Sequence, residues 1–150
     1  GKYDEAMAMY ERALEIYTKA LGPDHTSVGQ TLNNMAGVLD SQGKYDEAMA
    51  MFERALEIST KALGPDHASV GQTLNNMAIV LEAQGKYDEA MAMYERALEI
   101  KTKALGPDHT SVGETLNNIA NVLELQEESG QIRRGDGKYD EAMAMYERAL

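Results

Sequence analysis

Three histidines, His25, His67 and His109, recur 42 residues apart, and each follows an aspartate. An Asp-His pair can serve a proton relay or a metal site, so these residues come first. A three-histidine metal site needs all three ring nitrogens within about 2.1 Å of one ion. Equivalent positions of stacked helical units sit about 10 Å apart, so these rings cannot converge. A nucleophilic triad needs a pocket that orients a hydroxyl beside the imidazole, and the pattern offers none. The histidines are expected to be structural loop residues. Cysteine is absent, which excludes disulfides, thiolate nucleophiles and cysteine-ligated zinc. Neither paired carboxylates in a pocket nor a phosphate-binding glycine loop is present. The expectation is a chain that is not an enzyme and uses no metal or cofactor.

Two further patterns have both a chemical and a plain reading. Methionines come in pairs: Met7 and Met9, Met49 and Met51, Met91 and Met93, Met143 and Met145. Flexible thioethers suit adaptable binding surfaces but also fill core gaps, and the core role is expected here. Arg134-Gly135-Asp136 resembles the adhesive tripeptide read by integrins. Nothing else in the chain supports the extracellular setting that adhesion needs.

Composition narrows the partners. The 150 residues carry 14 Lys plus Arg against 25 Asp plus Glu, a net charge of −11. Such an acidic chain is repelled by phosphate backbones and anionic bilayers, so neither nucleic acid nor membrane is an expected partner. No apolar run approaches the roughly 18 residues of a membrane span. No basic start followed by an apolar segment marks a signal peptide, and a cytoplasmic location is expected.

The elements that position these residues follow from self-similarity. GKYDEAMAMYERALEI begins at Gly1 and again at Gly85, with a one-residue variant at Gly43 and a fourth, shorter copy at Gly137. The full repeats are 1–42, 43–84 and 85–126; an insertion at 127–136 precedes a partial repeat at 137–150. The first two repeats differ at six of 42 positions and the second and third at seven, so one folding unit serves all of them. Within the first, Tyr3, Ala6, Tyr10, Ala13, Leu14, Tyr17 and Leu21 fall on one helical face. Gly22-Pro23 stops that helix. A second helix over about 26–42 buries Val28, Leu32, Met35, Ala36 and Leu39, and Asp24 or Thr26 can cap it. The short link at Gly43 makes successive helices antiparallel.

Residues 32–58, LNNMAGVLDSQGKYDEAMAMFERALEI, resemble a tetratricopeptide repeat. The matching positions are Leu32, Met35, Ala36, Leu39, Ala48, Phe52 and Ala55, while Leu32, Ala36 and Thr60 replace the family's Trp, Gly and Pro. The usual period is about 34 residues; the extra length is similar to the 42-residue variant of kinesin light chains. The resemblance implies an all-α, right-handed superhelical solenoid of antiparallel helix pairs with about seven helices, forming one repeat domain over 1–150. It also implies a non-enzymatic scaffold that binds peptides or proteins on its concave face. The alternative is a structural or designed self-assembling array without a dedicated ligand.

The family's concave positions fall on Gln30, Asn33, Asn34, Gly37, Asp40 and Ser41 in the first inner helix. In the second they are Gln72, Asn75, Asn76, Ile79, Glu82 and Ala83, and in the third Glu114, Asn117, Asn118, Asn121, Glu124 and Leu125. Asn offers donors and an acceptor to a peptide backbone; equally, it can join one helix to the next. No Lys or Arg occurs in 26–42, 68–84 or 110–126, so neutral or basic peptides are expected there and acidic ones are not. Three positions carry a different residue in every copy: Tyr17, Ser59 and Lys101; Gly37, Ile79 and Asn121; Ser41, Ala83 and Leu125. Such variation marks positions free of the core, which either set specificity or drift on the surface.

The insertion prolongs the third inner helix to about Glu128, Gly130 stops it, and 131–136 form an exposed loop. The last helix is expected to dock in its repeat position. With no inner helix before the first outer helix or after the last one, head-to-tail self-association or exchange of the terminal helix is expected.

Overall fold

The computed structural model describes residues 1–133 and 135–149. Among them seven helices follow one another without strands. They are α1 (Lys2–Leu21), α2 (Thr26–Ser41), α3 (Tyr45–Leu63), α4 (Ala68–Ala83), α5 (Tyr87–Leu105), α6 (Thr110–Glu128) and α7 (Gly137–Ala149). The architecture is the expected all-α repeat solenoid.

Identical sequence produces identical punctuation. Gly22, Gly64 and Gly106 take φ of 93°, 89° and 91°, a region that L side chains avoid. Each donates its N–H to the carbonyl four residues back at 3.0 Å, and the following proline cannot continue the helix. The caps of α2, α4 and α6 correct the expectation of Asp24 or Thr26. The ring Nδ1 of His25, His67 and His109 accepts the N–H of Ser27, Ser69 and Ser111, each at 3.1 Å. An extended backbone at φ −72°, ψ 146° lets Nδ1 reach the second helical N–H as a short amide side chain would. Asp24 turns instead to α3 and meets Arg54 at 2.8 Å and Lys61 at 3.4 Å. Hydrogen bonds from Arg54 and then Lys61 hold its carboxyl below the usual carboxylate range.

Close packing rests on small residues. Ala36, Ala48, Ala55, Ala78, Ala90 and Ala97 are all fully buried, which lets helix backbones approach, and Phe52 and Tyr94 fill equivalent positions between them. A Cβ on Gly29 would meet Ile58 Cγ2 at 3.2 Å; on Gly71 it would meet Lys101 Cγ at 3.0 Å and Ile100 Cγ2 at 3.2 Å. Met7, Met49, Met51, Met91, Met93 and Met143 pack on the edges of the core clusters, whereas Met9 is exposed.

The backbone of α2 approaches that of α4, and α4 that of α6, within 8 Å, whereas the backbones of α1, α3 and α5 stay farther apart. The stack therefore curves with α2, α4 and α6 on its inner side. Helix α6 outruns α2 and α4 and ends at Glu128 as expected; Gly130 closes it at φ 75°. The loop after it is not wholly exposed, which corrects the reading of 131–136. Ile132 is only 4% accessible and joins the cluster of Tyr94, Val122 and Leu123. Burying this apolar side chain is worth about 2 kcal/mol, enough to pin a flexible link. Arg134 lies outside the described residues. The Asp136 carboxylate accepts the Arg133 N–H at 2.9 Å, and the Asp136 N–H donates to the Arg133 carbonyl at 2.9 Å. In α7, Tyr139 and Met143 pack against the cluster that Tyr87 and Met91 also border. Docking in full repeat position turns on the side chains of Ala142 and Tyr146, which lie outside the described residues.

Candidate functional site

The inner row sorts the sequence-read groove residues by depth. Gln30, Asn34, Gly37, Ser41, Ala83, Glu114, Asn117, Asn121 and Glu124 are exposed, and Asn33, Asp40, Gln72, Asn76, Ile79, Glu82, Asn118 and Leu125 are half-buried. Asn75 is the correction: at 0% accessibility it cannot meet a ligand. It sits in the seam between α4 and α6, where its Oδ1 accepts from Thr115 Oγ1 at 2.9 Å and from Asn118 Nδ2 at 3.3 Å. Asn33 makes the matching seam between α2 and α4, exchanging hydrogen bonds with Thr73 at 3.2 and 3.3 Å. Of each Asn-Asn pair in α2 and α4, the first residue joins helices. The second, Asn34 or Asn76, accepts from the glutamine one turn back, Gln30 at 3.4 Å or Gln72 at 3.0 Å.

The seams differ in one respect that runs against the expectation drawn from sequence variation. Lys101 is 0% accessible and Ser59 is 7% accessible, whereas Tyr17 is exposed, so in two of its three copies this varying position is not free of the core. Lys101 lies along Gly71, and its ammonium donates to Thr115 Oγ1 at 3.1 Å and to the Ser111 carbonyl at 3.4 Å. Desolvation lowers its pKa, partly opposed by the charge of Glu114. With Thr115 accepting from Lys101 and donating to Asn75 Oδ1, the buried Asn75 Nδ2 is left without a partner. A stranded buried donor costs about 1–3 kcal/mol.

Residues of the other two varying positions come together, although Ile79 also packs on a core cluster. Ile79, Glu82 and Ala83 of α4 face Asn118, Asn121 and Leu125 of α6 across a cleft of about 400 Å³. Glu82 is clamped between them: Tyr94 Oη donates to Oε2 at 2.9 Å and Asn121 Nδ2 donates to Oε1 at 2.6 Å. Burial, then the bond to Glu82, pushes the Tyr94 phenol up, so it stays a neutral donor. Tyr94 was missed as a site residue because it is a core aromatic. The readable signal was its co-change with the groove: Phe52 becomes Tyr94 where Asp40 becomes Glu82 and Ile79 becomes Asn121. Among the described residues no group of His, Asp and Glu side chains is arranged to hold a metal ion.

This curved stack of helix pairs, with a seam of small residues and an amide-lined inner row, has relatives. A tetratricopeptide repeat model matches residues 1–61, 27–103 and 69–134, and a second such model matches 123–150. The chain belongs to the tetratricopeptide repeat family. Proteins of this family generally act as protein-interaction scaffolds and are typically non-enzymatic.

The fold is similar to the crystal structure of BtubC (BKLC) from P. vanneervenii, with a TM-score of 0.79 at 24% identity, over 99% of this chain. It spans 57% of that protein's length. The nearly identical repeats of a putative kinesin light chain from Podosopora anserina match with a TM-score of 0.65 at 21% identity, over 99% of this chain and 79% of that one. A substituted form of that same protein matches equally well, with a TM-score of 0.66 at 21% identity and the same coverage. No curated protein matches the chain. No helix among the described residues is long and apolar enough to cross a membrane.

Proposed function

We propose that this tetratricopeptide chain is a non-enzymatic scaffold that holds a peptide or protein segment along α2, α4 and α6, and that it takes neutral or basic segments rather than acidic ones. The observation that carries this reading is the α4–α6 cleft, which pairs an apolar wall with the amides of Asn118 and Asn121 and the Glu82 carboxylate. The absence of Lys and Arg from all three inner helices supports the charge preference, because an acidic ligand would be desolvated against acceptors and like charge. The cysteine-free, acidic composition fits a cytoplasmic setting with no nucleic acid or membrane partner.

A peptide-array screen tests the proposal. Neutral and basic peptides should be retained, and Asn117→Ala with Asn121→Ala should weaken them. Micromolar binding of an acidic peptide to this groove would overturn the charge preference.

Association between copies is a second reading with its own observation. Helix α1 exposes Tyr3, Met9, Ile16, Tyr17 and Leu21, and a shallow cleft of about 860 Å³ runs along its last turns beside Leu14, Ile16 and Ala20. Covering such a surface favours head-to-tail contact or exchange of the terminal helix. A mass that rises with concentration supports this reading, and a constant monomer mass removes it.

A further inference from the structure

Glu82 differs from the other groove carboxylates in being oriented without being neutralised. Its two donors, the Tyr94 hydroxyl and the Asn121 amide, are both uncharged. Among the described residues it makes no ion pair. A carboxylate has about four acceptor sites, so each oxygen keeps a lone pair after these two bonds. The side chain is half-buried at the edge of the α4–α6 cleft, where Ile79, Ala83 and Leu125 supply apolar surface. The repeat-related Asp40 has neither donor: Phe52 stands where Tyr94 does, and Ile79 where Asn121 does. The two donors therefore act together at one step of the inner row and at that step alone among the described pairs.

Resting on the peptide-scaffold reading, we infer that the α4–α6 cleft is the specificity pocket of the groove and that its occupant is an arginine side chain of an extended peptide. The planar guanidinium meets the clamped Glu82 carboxylate, and the aliphatic stem lies on Ile79 and Leu125. A charged donor meeting a fixed carboxylate is about twice as strong as a neutral pair. A fixed acceptor also avoids the ordering cost that a free side chain incurs on binding. Arginine is favoured over lysine because its fork offers several in-plane donors to an acceptor whose oxygens are already partly occupied. The cleft lies at the small end of the usual range of roughly 300–1,000 Å³ for ligand sites, which suits one long side chain rather than a folded ligand. Tyr94 is a positioning residue here: it acts through Glu82.

The test uses a labelled pentapeptide, Ala-Leu-Arg-Leu-Ala, and the same peptide with citrulline, the neutral isostere, at its centre. Fluorescence anisotropy on the full chain should show the arginine form binding at least tenfold tighter. Glu82→Gln should bring the two together without weakening the citrulline form. Tyr94→Phe, which keeps the core packing seen at Phe52, should cut the discrimination about threefold, while Asp66→Asn, outside the inner row, leaves it unchanged. Equal saturable binding of both peptides by the unaltered chain overturns the arginine pocket and leaves the scaffold reading standing. Saturable binding of neither peptide overturns the arginine pocket, and retention of other peptides on the array then decides the scaffold reading. Loss of citrulline binding in Glu82→Gln would show a structural role and also overturn the pocket.

Discussion

The two steps of the inner row, α2 to α4 and α4 to α6, are built from nearly the same sequence yet differ in polarity. At the first, Phe52 and Ile79 stand where donors to Asp40 would have to be, and Asn33 and Thr73 exchange hydrogen bonds in a seam whose outer-helix position is the small Ser59. At the second, Glu82 is clamped by Tyr94 and Asn121, and Lys101 enters the seam and orients Thr115 and Asn75. A handful of substitutions adds a clamped carboxylate and a buried ammonium to the second step. Repetition fixes the scaffold, and the residues that break the repetition locate where it is specialised. The same substitution made at both steps should therefore give different results.

The largest difference is expected at the glycines. Gly71→Ala would place a Cβ 3.0 Å from Lys101 Cγ and 3.2 Å from Ile100 Cγ2, overpacking that should lower stability by about 1–2 kcal/mol even after the gain in helix propensity. Gly29→Ala, its counterpart at the first step, has only Ile58 that close, with Cγ2 at 3.2 Å, and should cost less, under about 1 kcal/mol. Equilibrium denaturation of the two variants checks the difference.

Next comes the buried ammonium. Lys101→Met keeps the stem along Gly71, removes a desolvated charge and frees Thr115 to accept the stranded Asn75 Nδ2, as Thr73 accepts from Asn33. A gain of about 1–2 kcal/mol is expected at pH 7. Because burial lowers this pKa in the folded chain, the penalty being relieved is full below the folded value and gone above the unfolded value of about 10.4. The gain should therefore shrink as pH rises toward that value, and thermal melts at pH 7 and above about pH 10 measure it.

The smallest effect is expected at Asp40, whose carboxyl is pushed up by burial. The folded chain then holds this proton more tightly than the unfolded chain. The cost of ionising Asp40 is absent below the unfolded value of about 3.9 and full above the folded one. Asp40→Asn should raise the Tm slightly at pH 7, with the advantage fading as pH falls toward about 4. Calorimetric melts across that range check it.

Much of this was legible in the sequence. The 42-residue period, the Gly-Pro stops and the apolar stripes gave helix positions close to those observed, including the end of α6 at Glu128. What escaped depended on angles between helices. Asn75 and Asn76 are the same residue type, and only the approach of α6 decides that the first is sealed and the second is not. Lys101 sits where variation implied a free surface; the opening beside Gly71 that accommodates its stem exists only once α4 packs on α5. The histidine caps went unread because the ring acts as a cap only in the extended conformation that the Pro-Asp turn imposes. Ile132 does lie in a loop, but its burial was not legible because the partly open edge of the α5–α6 cluster exists only in three dimensions.

Backbone NMR titration with Ala-Leu-Arg-Leu-Ala tests the central claim, that the second step rather than the first is the specialised site. Shifts are expected at Ile79, Glu82, Asn121 and Leu125, with Gly37, Asp40 and Ser41 moving little. Equal shifts at both steps, or shifts confined to α1, α3 and α5, would contradict it.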